Sequence, residues 1–116
     1  MKLVLTLTLA FCFSISAFAG GSYTGKVKTV INYTERSGVV MLKVDPTVAV
    51  LLNPAACATN PYYQFAFKAS TADGLVTLAL LMSAFNAQQT MILEGTGTCN
   101  NYPGIEDLKL IAPMGY

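Results

Sequence analysis

Residues 62–88 read YYQFAFKASTADGLVTLALLMSAFNAQ and contain the two patterns on which the fold depends. In the first pattern, residues 62–69, the aromatic side chains of Tyr63, Phe65 and Phe67 occupy alternate positions. A period of two residues is typical of a strand with one buried face. This stretch is therefore predicted to form a strand.

From residue 74 to about residue 88 the apolar residues adopt a helical spacing. Leu75, Leu78, Met82 and Phe85 are separated by three, four and three residues. This spacing is that of an amphipathic helix, so the four side chains are expected to fill the space beneath the sheet. Ser70 is the expected N-cap, with an acidic residue three positions later.

Four further strands are predicted around this pair. Residues 25–34 and 39–44 flank a polar turn and form a hairpin, and residues 90–95 and 105–112 follow the helix. The order β-β-β-α-β-β is that of a five-stranded OB-fold barrel, mostly β with one helix. An open antiparallel α+β sheet is the alternative. Residues 20–116 have the length of one OB-like domain.

The first nineteen residues carry the features of a cleavable signal peptide. Lys2 is followed by an apolar run over residues 3–13 and by an Ala-Phe-Ala sequence at residues 17–19. The alternative is a membrane anchor, but the run is shorter than the roughly 20 residues that a spanning helix needs. We therefore predict a secreted or periplasmic protein without a membrane span in its mature form.

Cleavage after residue 19 leaves two cysteines, Cys57 and Cys99, and removes Cys12. In an oxidising compartment, an even pair in a small domain indicates a disulfide bond. The loop that this bond closes has about 43 residues. In the chain-entropy model, such a loop stabilises the fold by roughly 4 kcal/mol.

The segment from Tyr62 to Tyr102 combines a strand, an apolar helix, a second strand and the loop Gly95-Thr96-Gly97-Thr98-Cys99. It resembles small secreted bacterial proteins of unknown function with a Cys before a Tyr-x-Phe strand and a second Cys before a final strand. More distantly, the element order is similar to that of the receptor-binding subunits of pertussis-like and subtilase-like AB toxins. That resemblance implies an OB-fold, ring-forming self-association and glycan binding.

The composition argues against several classes of function. The chain has no histidine, so it lacks the base of the commonest catalytic triad and the commonest metal ligand. Neighbouring residues on a strand face opposite sides, so Glu106 and Asp107 are expected to form a polar junction rather than a catalytic pair. Without Lys2, six basic residues balance six acidic ones, which does not favour nucleic-acid binding. We expect no enzymatic activity, no cofactor and no metal site.

A disulfide between the two loops would bring several polar and aromatic side chains together. Tyrosine rings stack on sugars, and amide side chains bond to sugar hydroxyls, so these residues form the candidate ligand patch. Its members are Asn60, Tyr62, Gln64, Asn100, Asn101 and Tyr102. The alternative is that the tyrosines pack around the disulfide.

The helix also suggests a protein interface, because residues 74–93 contain no charged side chain. A second apolar stripe would remain exposed and could bind a partner. The alternative is that connecting loops such as residues 47–52 cover this stripe. The predicted interface consists of Val76, Leu80, Leu81 and Ala84. We therefore predict a secreted, non-catalytic binding module, with a glycan or protein ligand and possible homo-oligomers. A periplasmic structural or inhibitor-like protein that acts on another protein is the alternative.

Overall fold

The computed structural model describes residues 20–47 and 49–114, so the predicted signal peptide lies outside the described residues. A short 3-10 helix covers Thr34–Arg36, between the second and third of the six strands. The strands are β1 (Ser22–Gly25), β2 (Val27–Tyr33), β3 (Val39–Val44), β4 (Phe65–Lys68), β5 (Met91–Gly95) and β6 (Glu106–Pro113), and the α-helix is α1 (Ala72–Asn86).

The strands form one mixed sheet in the order β1-β5-β6-β4-β3-β2. Neighbouring strands are antiparallel except β4 and β6, which are parallel. The two outermost strands, β1 and β2, are separated in sequence only by Lys26. The chain therefore bends at Lys26 and joins the two ends of the curled sheet, as in an OB-like barrel.

The predicted fold class, mostly β with one helix and an OB-like sheet, is confirmed. The difference from the predicted five strands lies in β1, which is a separate strand of four residues before the bend. The open antiparallel alternative does not fit, because β4 pairs with β6 in parallel.

Tyr23 holds the bend between β1 and β2 in place. Its side chain is only 1% exposed, and its hydroxyl donates to the carbonyl oxygens of Lys26 at 3.1 Å and Asp45 at 2.7 Å. The Asp45 N–H in turn donates to the Lys26 carbonyl at 3.0 Å. A Cβ atom at Gly25 would overlap the Tyr23 hydroxyl, so the bend requires glycine at that position.

Helix α1 begins one residue later than the capping prediction implied. The N-cap is Thr71 rather than Ser70, and the Thr71 hydroxyl accepts a hydrogen bond from the Gly74 N–H at 2.9 Å. Gly74 is buried against the Lys68 carbonyl, where a side chain would not fit. The missing side chain thus lets the helix approach the end of β4 closely.

The helix buries a face that overlaps the predicted one but is shifted around the helix axis. Leu81 and Ala84 are buried in the core, and Leu78, Met82 and Phe85 are half-buried at its edge. Leu75, which was predicted to fill the barrel, is 59% exposed. The face centred on Leu81 is turned away from Leu75 by about a third of a turn.

Strands β3 and β4 are buried on both faces. Side chains such as Leu42 and Phe65 face the main core inside the barrel. Met41, Ala66 and Ile105 belong to a second, smaller cluster, against which Tyr63 and Tyr102 pack. The outer face of these strands is therefore covered by the segments before β4 and before β6, and these segments carry the candidate ligand patch.

Candidate ligand-binding surface

The two segments that cover the outer face are covalently joined. Cys57 and Cys99 form a disulfide with their Cα atoms 6.1 Å apart, which confirms the predicted bond. A main-chain hydrogen bond of 2.9 Å from the Asn60 N–H to the Gly104 carbonyl adds a second connection. The predicted patch residues on both segments are thus brought onto neighbouring loops.

The loop between β5 and β6, residues 96–105, is held by Asp107. This carboxylate is 7% exposed and accepts hydrogen bonds from the Thr98 hydroxyl at 2.7 Å and from the N–H groups of Asn100 and Asn101 at 2.9 Å. Both asparagines use their main chain in these bonds. Their side-chain amides are therefore not needed to hold the loop.

Glu106 connects three other segments at the same end of the barrel. Its carboxylate is 1% exposed and accepts from the N–H groups of Gly21 at 2.8 Å, Ala55 at 2.9 Å and Gly97 at 3.1 Å. Residues 106 and 107 lie at the junction of the loop with β6, as expected, but both carboxylates are buried. The two carboxylates bind different sets of donors.

Gly95 makes room for the Glu106 carboxylate. A Cβ atom at this position would overlap the Glu106 side chain. The Gly95 N–H also donates to the Gly21 carbonyl at 2.8 Å, which ties β5 to the start of the described chain. The glycine-rich sequence at the end of β5 thus leaves space for the Glu106 side chain and donates to its carboxylate through the Gly97 N–H.

Tyr102 lies at the centre of an aromatic and cationic cluster. Its ring meets the ring of Tyr33 edge-to-face, with centroids 6.0 Å apart and an interplanar angle of 81°. The Arg36 guanidinium carbon lies 5.0 Å from the Tyr102 ring centroid. Tyr33 and Arg36 are exposed and Tyr102 is half-buried, so the cluster faces solvent on one side.

Tyr62 is the most exposed aromatic side chain of the patch, at 65%. Its main-chain N–H and that of Tyr63 donate to the Asn60 side-chain oxygen at 2.8 and 3.1 Å. Asn60 therefore shapes the turn that presents Tyr62. Its oxygen is engaged in the fold and is not free to contact a ligand.

The remaining amides of the predicted patch lie in different places. Gln64 accepts a 2.9 Å hydrogen bond from the Val44 N–H and lines a groove of about 450 Å³ beside Pro61. Asn101 lines a polar groove of about 230 Å³ that also contains Lys68 and Lys109. Gln64 and Asn101 therefore each line a different groove, and the candidate surface is reduced to Tyr62 and the Tyr102 cluster.

Sequence reasoning missed Tyr33 and Arg36. Both lie far along the chain from Tyr102, at the end of β2 and in the 3-10 helix that follows it. The available signal was Arg36 itself, the only arginine in the chain, placed in a hairpin turn directly after a tyrosine-bearing strand. An arginine is the cation best suited to stack on an aromatic ring.

The predicted interface on α1 needs correction. Leu81 and Ala84 are 0% and 2% exposed because they pack inside the domain's own core. Val76 and Leu80 are exposed, and Leu75 is exposed with them. We define these three residues, Leu75, Val76 and Leu80, as the helix patch.

The comparisons with known proteins add no relative: no family model, curated protein or solved structure matches the chain. No helix within residues 20–47 and 49–114 is long and apolar enough to cross a membrane. The same residues contain no group of three metal-ligating Cys, Asp or Glu side chains. The candidate surface is thus characterised by its own geometry.

Proposed function

We propose that this protein is a secreted, non-catalytic binding module that recognises a glycan through the Tyr102 cluster and Tyr62. The observation that carries the proposal is the arrangement of Arg36, Tyr102 and Tyr33 at the solvent-facing edge of a fixed loop. Tyrosine offers a flat apolar face together with a polar hydroxyl, the combination that suits a sugar ring.

The rigidity of the surrounding loops supports this function. Binding costs free energy when side chains and loops must become ordered, and a preformed surface avoids that cost. The loop that carries Tyr102 is held by the disulfide and by three donors to Asp107. The signal-peptide pattern and the disulfide together support export to an oxidising compartment.

The test is a glycan array probed with the mature chain, residues 20–116, followed by titration with any glycan that binds. The chain has six tyrosines and no tryptophan, so its intrinsic fluorescence reports on tyrosine alone. We expect Tyr62→Ala and Arg36→Ala each to weaken binding about tenfold, which corresponds to roughly 1.4 kcal/mol. Both side chains are exposed, so neither variant should lose stability.

The matched control is Val50→Ala, which removes an exposed apolar side chain that is not part of the Tyr102 cluster. This variant should bind like the unmodified protein. The proposal fails if the array shows no glycan, or if the Tyr62 and Arg36 variants bind as tightly as the control.

The helix patch favours a second candidate function, binding to another protein. Leu75, Val76 and Leu80 are 59%, 61% and 45% exposed on one helix, and clustered exposed apolar side chains are typical of protein interfaces. Light scattering after size-exclusion chromatography would show whether the partner is a second copy. A dimer or larger ring that dissociates in Leu80→Glu supports self-association, whereas a monomer at high concentration excludes it.

A further inference from the structure

A groove of about 400 Å³ opens between α1 and the hairpin of β2 and β3. Its floor is Val40, which is 3% exposed and belongs to the main core. Its walls include Val30 and Ile31 from β2 and Leu78 and Met82 from α1. The groove therefore borders the main core of the barrel.

The chemistry of the lining restricts the kind of ligand. The side chains of the walls and floor are aliphatic or thioether, and no residue that lines the groove is charged or aromatic. A charged ligand would lose its hydration there without gaining a partner. An aliphatic chain would instead gain contact with Val30, Leu78 and the flexible side chain of Met82.

The mouth of the groove carries two polar side chains. Asn32 and Ser70 line the groove and are both exposed. An amide and a hydroxyl can each donate and accept hydrogen bonds, so they suit a neutral hydroxyl or ester head group. The lining therefore combines an apolar slot with an uncharged polar rim, and its volume lies in the range of small-molecule sites.

We propose that this groove binds the alkyl chain of an uncharged single-chain amphiphile, with the head group at Asn32 and Ser70. The site is separate from the Tyr102 cluster and does not depend on glycan binding. Burial of an alkyl chain stabilises such a complex because each methylene group is removed from water.

The test uses the mature protein with carbon-13 labelled methionine methyl groups and three probes, 1-decanol, decanoate and benzyl alcohol. Met82 is the methionine that lines the groove, whereas Met41 and Met91 are buried and Met114 is exposed elsewhere. Met82→Leu assigns the signal. We expect 1-decanol to shift the Met82 methyl signal saturably, and decanoate and benzyl alcohol to bind at least tenfold more weakly.

Val30→Phe enlarges a wall residue and should weaken decanol binding at least tenfold. Val50→Phe adds the same ring at an exposed position outside this groove and serves as the control. The melting temperature of both variants shows whether each one remains folded. If Val30→Phe does not fold, Ser70→Leu at the exposed mouth replaces it. This variant loses the hydroxyl that contacts the head group and should therefore bind decanol more weakly.

Three results would overturn the proposal. The first is the absence of a saturable Met82 shift. The second is equal binding of decanol and decanoate, which would indicate partition without recognition of a neutral head group. The third is a Met82 shift that follows protein concentration without any probe, which would assign the groove to a second copy of the chain.

Discussion

The barrel is held together by different means at its loop end and on its helix side. At the loop end, Glu106 and Asp107 are buried and fully engaged with main-chain N–H groups and one hydroxyl, and a disulfide joins the covering segments. On the helix side, α1 packs through Leu81 and Ala84 but leaves three large apolar side chains exposed and a groove beside it. Directional polar bonds fix one region, and non-directional apolar packing holds the other.

The difference shows which region can present a preformed surface and which can adapt. Hydrogen bonds to a buried carboxylate specify distances and angles, so the loops around Tyr102 have little freedom. Apolar packing along a helix tolerates small shifts of side chains such as Met82. A glycan that needs fixed partners suits the first region, and an alkyl chain suits the second.

Removal of the Glu106 carboxylate should cause the largest loss of stability, because it removes the acceptor that joins three segments at the loop end. Glu106→Ala leaves three N–H donors buried without an acceptor and creates a cavity, and each unsatisfied donor costs about 1–3 kcal/mol. We expect the free energy of unfolding to fall by about 5 kcal/mol, measured by urea denaturation at neutral pH. A loss below about 1 kcal/mol would contradict the role of Glu106 in joining the three segments.

Two further substitutions sharpen this experiment. Glu106→Gln keeps the shape of the side chain and one acceptor oxygen. Its loss of unfolding free energy should therefore be about half of the loss in Glu106→Ala. Glu35→Ala removes an exposed carboxylate in the 3-10 helix and should change the free energy of unfolding by less than about 0.5 kcal/mol. Together they separate the hydrogen bonds of Glu106 from the loss of a negative charge.

The disulfide is expected to have the next largest effect. Replacing Cys57 and Cys99 by serine opens a loop with a sequence separation of 42 residues, for which the chain-entropy model gives about 4 kcal/mol. Urea denaturation of the double variant measures this loss. Because the same bond joins the loops of the candidate surface, glycan affinity should fall in the variant while decanol binding to the groove persists. Loss of decanol binding in a folded double variant would contradict the independence of the two regions.

The sequence predicted best the parts of the fold that depend on local pattern. Strand β3 has the predicted bounds, because residues 39–44 are almost wholly apolar and lie between a glycine turn and an Asp-Pro pair. Strand β1 was missed because its four residues end in glycine and pair with the distant β5 and, at Ser22, with Leu52. Its position depends on the Tyr23 hydroxyl and the bend at Lys26, which no local pattern reveals.

The burial of Glu106 and Asp107 could not be predicted from residue type. Acidic side chains are seldom buried, and the donors that satisfy these two come from segments up to 85 residues away in the sequence.

The buried face of the helix could not be predicted for another reason. Without a charged residue between positions 74 and 93, the sequence did not mark which of two apolar stripes faces water. Tertiary contacts at Gly74 and Leu81 decided between them.

Tyr23 connects the two ends of the sheet, and its titration provides a pH test. Burial raises the pKa of its hydroxyl above the ordinary value of 10.0, so the folded state favours the neutral form. The resulting stability is complete below pH 10 and is lost as the pH rises from that value through the native pKa. Tyr23→Phe should lower the free energy of unfolding by about 1 kcal/mol at pH 7.

The same variant should also flatten the decline of stability above pH 10. The five remaining tyrosines are common to both proteins, so the difference between the two unfolding curves isolates Tyr23. Parallel curves from pH 9 to pH 11 would show that its ionisation is not linked to folding.

The smallest expected effect concerns the polar anchor at the start of α1. The Thr71 hydroxyl accepts from the Gly74 N–H, so Thr71→Ala should lower the free energy of unfolding by about 1 kcal/mol. Ser70→Ala is the matched control, because Ser70 is exposed, precedes the cap and should lose less than about 0.5 kcal/mol. Thr71 lines the polar groove with Asn101 and is not among the residues that line the alkyl groove, so decanol affinity should not change in Thr71→Ala. Equal losses in the two variants would mean that the Thr71 hydrogen bond does not contribute to stability. Apolar packing alone would then determine where the helix begins.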